Sequence, residues 1–222
     1  MNSSVYCEAI PFTSCVLVNN IDVYEYLWVS NQDIAEHTLH TPFLQHMQLG
    51  DLQADNYVKF IIQDINYLVA VTDMLDEMRN KVKVPEDLHD FMEDRYESYK
   101  TYAESTLKEF NLNSVSNINP TPAMKKYLSD YKDIMDNQDP IYFAVALLPC
   151  SRLWLWLANQ LNENCCNAYF TWKMSNMYGH PEQHYRALLD KYLTTPNQKE
   201  LANKLFRQQM NNEHDFFASS LE

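Results

Sequence analysis

Glycine is nearly missing: Gly50 and Gly179 are the only two in 222 residues. A chain so poor in turn-forming glycine does not support the many hairpins of an all-β fold, and it holds no glycine-rich loop of the kind that cradles phosphate. Positive charge is scarce as well. Seventeen lysines and arginines face thirty aspartates and glutamates, a formal net charge of −13 at pH 7. Nucleic-acid backbones and anionic lipid headgroups would be repelled over most of such a surface. The five cysteines (Cys7, Cys15, Cys150, Cys165, Cys166) are odd in number and follow no framework spacing, and neighbours such as Cys165 and Cys166 rarely bond each other. A reducing, cytoplasmic setting is therefore expected. The N-terminal MNSSVYCEAIPFTSCVLV has no basic region and carries Glu8 before its apolar stretch, unlike a signal peptide. The longest apolar run, Ile141 to Ala158, is broken by Pro149, Cys150, Ser151 and Arg152, which argues for a buried soluble helix rather than a membrane span.

What the chain does have is core material, 46% apolar and 13% aromatic. Helical periodicity predicts an all-α single domain over 1–222 with an irregular segment at 1–20. Helices are expected near 22–38, 53–80, 86–110, 122–135, 140–162, 165–177, 182–193 and 197–219. The punctuation supports these ends: Gly50-Asp51 precedes the second helix, Pro85 starts the third, SVSNINPTP (114–122) separates the third and fourth, and His180-Pro181 and Thr195-Pro196 open the last two. The third helix repeats Leu88, Met92, Tyr96, Tyr99, Ala103, Leu107 and Phe110 on one face, so that face is core. No internal repeat or long linker divides the chain.

Three reactive side chains lie on apolar faces. Neighbours at i±3 and i±4 surround Asp64 with Phe60, Ile61, Tyr67 and Leu68, and Cys150 with Ala146, Leu147, Leu153 and Trp154. Glu213 lies among Phe206, Met210, Phe216 and Phe217. An inward acid ordinarily caps a helix or pairs with a buried cation, and a buried cysteine ordinarily just packs. Two inward acids and an inward thiol together point to a site, because burial raises a carboxyl pKa toward the range useful for proton transfer. Pro149 removes the amide that would bond the Val145 carbonyl, which predicts a kink beside Cys150.

Several other chemistries fail on spacing. The zinc-deaminase pattern P-C-x-x-C has Leu153 in place of its second cysteine, and no H-x-E occurs. Glu86-x-x-His89 would be half of a di-iron pattern whose other half is missing. His37 and His40 share a face near a helix end but lack a further ligand. No metal is expected.

The chain resembles the TenA/thiaminase II family, whose fold is a heme-oxygenase-like multi-helix bundle. The similarity runs from about Trp28 to Phe217. TPFLQ (41–45) followed by GDL (50–52) is similar to the family's H-P-F-x-Q and G-x-L, with Thr41 where histidine is usual. QDINYL (63–68) resembles Q-D-x-x-Y-L, and PTPAMKKY (120–127) resembles the segment leading to an active-site tyrosine. ALLPC (146–150) is the most specific match, while NMYG (176–179) and EHDFF (213–217) resemble T-Y-G and E-x-x-F-W. Trp154 stands where tyrosine is frequent, and Tyr169-x-x-Trp172 lies two residues further upstream of Tyr178 than usual.

The resemblance implies an aminopyrimidine aminohydrolase, or thiaminase II-like hydrolase, of the cysteine-containing class. Cys150 would be the nucleophile and Glu213 the acid/base. Asp64 would hold the amino group and ring nitrogen of the pyrimidine, Tyr67 would hydrogen-bond near the thiol, and Tyr127, Tyr178 and Trp154 would line or orient the ring. It further implies a small-molecule pyrimidine substrate, no metal or organic cofactor, and a homotetramer. A relative acting on a different small molecule, or a non-catalytic ligand-binding protein, is compatible with the same motifs.

Overall fold

The computed structural model describes residues 21–162 and 165–221. Ten α-helices and a closing 3₁₀ turn occur among them, and no strand does. The helices are α1 (Val23–Val29), α2 (Gln32–Leu39), α3 (Pro42–Leu49), α4 (Ala54–Lys81), α5 (Glu86–Glu109), α6 (Pro122–Asn137), α7 (Pro140–Gln160), α8 (Phe170–Asn176), α9 (Pro181–Tyr192) and α10 (Pro196–Ala218). Segment 1–20, expected to be irregular, lies outside the described residues.

Helix α7 is the axis of the bundle, packed by α10, α6, α9 and α8, while α4 and α5 form a long antiparallel hairpin along one side. Every residue from Ile141 to Pro149 is buried. By length and composition α7 could cross a membrane, yet most of it is covered by its neighbours, as the core helix of a soluble bundle would be. It runs through Pro149 as one helix.

Local chemistry sets most boundaries. Thr195 and Gln198 form a reciprocal capping box at the start of α10, and Thr121 accepts from the Met124 amide at the start of α6; each such cap contributes about 1 kcal/mol. Proline stands in the first turn of α3, α6, α7, α9 and α10, where its missing N–H leaves no bond unmade. Gly50 closes α3 at φ 76°, a left-handed conformation that favours glycine.

Three boundaries differ from expectation. The helix expected at 22–38 is two, α1 and α2, because the buried Asn31 side chain donates to the Leu27 carbonyl (2.8 Å) and to Asn203 (2.7 Å), competing with the helical bonding pattern. Segment 42–49, which lies outside the expected helices, is helix α3. The helix expected at 165–177 spans only Phe170–Asn176. Asn167 holds the preceding turn by donating to the Met47 and Gln48 carbonyls at the end of α3 (3.0 Å each) and accepting from the Tyr169 amide.

Candidate active site

Four long helices bring the reactive groups together: α4 carries Asp64 and Tyr67, α6 carries Tyr127 and Tyr131, α7 carries Cys150 and Trp154, and α10 carries Glu213. Each sits on the inward stripe of its helix, so bundle packing makes them converge. Asp64, Tyr67, Tyr127, Trp154 and Glu213 are all buried, and Cys150 is partly exposed.

Glu213 is held at both oxygens. Tyr127 donates its hydroxyl proton to Oε1 (2.7 Å) and the Trp154 indole N–H donates to Oε2 (3.0 Å). The tyrosine expected at position 154 is absent, but the indole supplies a donor; unlike a hydroxyl it can only donate. Tyr127 is itself clamped between the Tyr67 and Tyr131 rings, with centroids 5.1 and 5.2 Å away. Tyr131 donates to the Ala146 carbonyl (3.0 Å) and its oxygen lies 2.9 Å from that of Tyr67. Since a hydroxyl has one proton, Tyr67 is the donor of that pair. The Cys150 thiol lies close enough to Glu213, Tyr67 and Tyr99 for each to bear on its titration.

Among the described residues no cation pairs with either acid, and the titrations follow. Burial pushes Glu213 up to about 7, against the hydrogen bonds from Trp154, Tyr127 and Cys150. Burial, with the nearby charge of Glu213 adding to it, pushes Asp64 up to about 8. Burial also holds the Cys150 thiol well above its ordinary value; Glu213 and Asp64 reinforce this, and Tyr67 and Tyr99 oppose it. Near neutrality the site holds a neutral thiol, a Glu213 near half ionisation and an Asp64 that mostly keeps its proton.

A cavity of about 250 Å³ opens beside the thiol, bordered by Asp64, Cys150, Trp154 and the α5 tyrosines Tyr99 and Tyr102. Of the expected site residues, Asp64, Cys150 and Trp154 thus face the cavity. Glu213, Tyr67 and Tyr127 form the layer behind it, so Tyr127 orients the acid rather than lining the space for a ring. Tyr178 is not brought in: it is 65% exposed, and its neighbours Asn176 and Gly179 border the cavity instead. Asn176 is the last residue of α8 and Met177 its C-cap, so Tyr178 follows the helix end and projects into solvent. Tyr99, Tyr102 and Arg95 were not singled out. Tyr99 was legible only as one member of the apolar stripe of α5, where a ring that packs and a ring that borders a cavity look alike. Among the described residues, no group of three or more His, Cys, Asp or Glu side chains is placed to hold a metal ion.

A family profile described as "TENA/THI-4/PQQC family" matches residues 28–222. The chain belongs to that family. Solved structures share its fold at low identity. A TenA homologue from P. horikoshii OT3 superposes with a TM-score of 0.76 at 19% identity, covering 90% of this chain and 98% of that one. A TenA homologue from Pyrococcus furiosus gives 0.71 at 18%, covering 89% and 99%. A Silicibacter sp. protein described as a TenA family transcription regulator gives 0.77 at 13%, covering 90% and 96%. No curated protein sequence matches the chain significantly. Membership of the TENA/THI-4/PQQC family and the all-α single-domain bundle thus agree with the reading of the sequence.

Proposed function

We propose that the protein is an aminopyrimidine aminohydrolase that replaces the exocyclic amine of an aminomethyl pyrimidine with hydroxyl, and that thiamin is a second substrate of the same site. The observation that carries this reading is the meeting of Cys150 and Asp64 at the wall of one cavity, with Glu213 from a third helix in the layer behind them. The acidic surface (net charge −13) weighs against a DNA-bound regulator, because phosphate neutralisation supplies most non-specific affinity for DNA.

Each group has a task suited to its protonation state. A neutral carboxyl presents one donor and one acceptor, the complement of a ring nitrogen beside an amino group, and Asp64 is mostly neutral near pH 7. Ionised Glu213 takes the thiol proton as the Cys150 sulfur adds to the ring. Tyr67 then turns its hydroxyl from Tyr131 to the thiolate, and Tyr99 donates as well. Addition to the ring dearomatises it and lets its electrons expel the amine, to which protonated Glu213 returns the proton. Water adds at the methylene and its spare proton goes to Glu213, and as the ring regains aromaticity the sulfur departs and takes that proton to restore the thiol. No metal or organic cofactor enters these steps. The rings of Trp154 and Tyr99 would enclose the flat pyrimidine. A cytoplasmic homotetramer is part of the proposal.

The test is to incubate purified protein with aminomethyl pyrimidine and with thiamin, wild type beside Cys150→Ala, and follow product. Turnover that falls at least about 1000-fold in the variant is expected for a lost nucleophile; no turnover of either compound by wild type sinks the proposal. Cys150 should also react with iodoacetamide at a rate that rises with pH as Glu213 ionises. The kcat/KM profile should be a bell, rising through about pH 7 as Glu213 loses its proton and falling above about pH 8 as Asp64 loses its own. For interacting acids the two apparent values belong to the pair.

A further inference from the structure

Four of the five arginines are in ion pairs: Arg79 with Asp76 and Glu93, Arg152 with Glu25, Arg186 with Asp22 and Glu25, and Arg207 with Asp33. Arg95 is the exception. Among the described residues it has no carboxylate partner, although the chain carries thirty acids, and its Nε is buried without a hydrogen-bond partner. Leaving such a donor unmet costs about 1–3 kcal/mol or more, so a buried orphan in a folded protein calls for an explanation. The side chain of Arg95 borders the same cavity as Cys150 and Asp64.

The cavity has two chemically different ends. Tyr102 lies within the field of Asp64 and Cys150, whereas Arg95 acts on the buried hydroxyl of Tyr185, which sits beside Ser151. Tyr102 and Arg95 are two turns apart on α5, about 10 Å at 1.5 Å per residue. Cys150 borders the same space as both of them. The other polar residues of the wall, Ser98, Ser151, Ser175 and Asn176, are neutral, and Asp64 is the one acid there among the described residues. A space of about 250 Å³ lies just under the ~300 Å³ typical of drug-sized sites, so one ring with a short arm fills most of it.

Resting on the aminopyrimidine reading, we propose that the preferred substrate carries an anionic oxygen group, carboxylate or phosphate-like, at the end of its exocyclic arm, and that Arg95 binds it while Asp64 binds the ring. A guanidinium fork matches either anion in two parallel bonds. In a protein whose surface repels anions, a cation inside the cavity also selects for the one end of the substrate that bears the charge. The bond broken is unchanged: the methylene–nitrogen bond is hydrolysed, the hydroxyl stays on the methylene, and the proton leaves with the amine and its anionic arm.

Three probes test this, each an aminomethyl pyrimidine substituted on the exocyclic nitrogen by carboxymethyl, phosphonomethyl or the neutral carbamoylmethyl group. Wild type should prefer an anionic arm over the carbamoyl arm by at least about tenfold in kcat/KM and in Kd measured by calorimetry, a bidentate charged contact being worth that much or more. The carboxylate and phosphonate arms show which anion is favoured. In Arg95→Gln the preference should collapse toward one, and Arg95→Lys should keep part of it. A wild-type ratio near one, or a ratio that survives Arg95→Gln, overturns the proposal. If wild type turns over none of the three, the hydrolase reading fails, while the Kd ratio still decides the role of Arg95. Should Arg95→Gln not fold, the wild-type ratio and Arg95→Lys decide it.

Discussion

Helix α7 carries two inward polar side chains two positions apart, the partly exposed Cys150 and the buried Arg152, and their surroundings are opposites. Arg152 donates to the Tyr24 carbonyl (2.6 Å) and to Glu25 (2.7 Å), lies 3.8 Å over the Tyr24 ring, and shares Glu25 with Arg186, which also pairs with Asp22. That cluster ties α1 to α7 and α9, and each of its charges has an opposite charge beside it. Around Cys150 there are two acids and six tyrosines but, among the described residues, no cation paired with either acid. A buried charge that is paired stays charged and serves the fold. A buried acid left without a cation takes up a proton instead and can then exchange it with a ligand. The contrast separates structural polarity from polarity available for chemistry, on one helix and within one core.

The largest effect should come from breaking the paired side. Arg152→Ala leaves Glu25 with one arginine and removes the bond to the Tyr24 carbonyl, and about 3–5 kcal/mol of stability should be lost, read by urea unfolding. A loss below about 1 kcal/mol would abolish the distinction between the clusters. On the other side, Glu213→Gln keeps the shape and the Tyr127 contact but removes the base and turns an amide donor toward the Trp154 indole N–H, so kcat/KM should fall by about 100-fold or more, with roughly 1 kcal/mol lost in the same unfolding assay for the missing bond.

Asp64→Asn sharpens the comparison in both directions. The folded protein holds the Asp64 proton more tightly than the unfolded chain, about 8 against 3.8. The stability tied to that proton is complete below about pH 4 and is lost progressively as pH rises through about 8. The variant, which cannot ionise, should therefore match wild type near pH 4 and gain on it by about 1.4 kcal/mol for each pH unit from there toward pH 8. An amide keeps one donor and one acceptor, so ring binding should survive and the alkaline limb of the rate profile should disappear. Loss of binding would show that the ionised carboxylate is required. The smallest effect is expected of Trp154→Phe, which removes one donor from Glu213 Oε2. The acid limb should move upward by about 0.5–1 pH, with stability reduced by roughly 1 kcal/mol for the lost bond and packing.

Asp64, Cys150 and Glu213 were legible in the sequence because helical spacing alone puts each among apolar neighbours, and the short motifs around them resemble those of the family whose profile matches residues 28–222. The paired cluster was not legible. Arg152, Glu25, Asp22 and Arg186 come from three helices far apart in sequence, and nothing in the local spacing of any one of them names its partner. Tyr178 shows the opposite error. Its motif neighbours matched a family segment, but the turn after α8 sends its ring outward, and sequence order does not fix a side chain's direction in a turn. Helix α3 escaped because its apolar residues, Phe43, Leu44 and Met47, are too few to establish a period, while Pro42 and Gly50 at its ends read equally well as a loop.

The sequence by itself determined that this chain is a helical bundle and which acids and thiol turn inward, because residue periodicity and the near absence of glycine are local properties that survive without coordinates. Only the tertiary structure decided that the Trp154 indole stands in for a missing hydroxyl, that Glu213 lies behind the cavity wall rather than in it, and that Arg95 has no carboxylate partner. Each of those is a relation between helices, and the relation exists only once packing has chosen which faces meet.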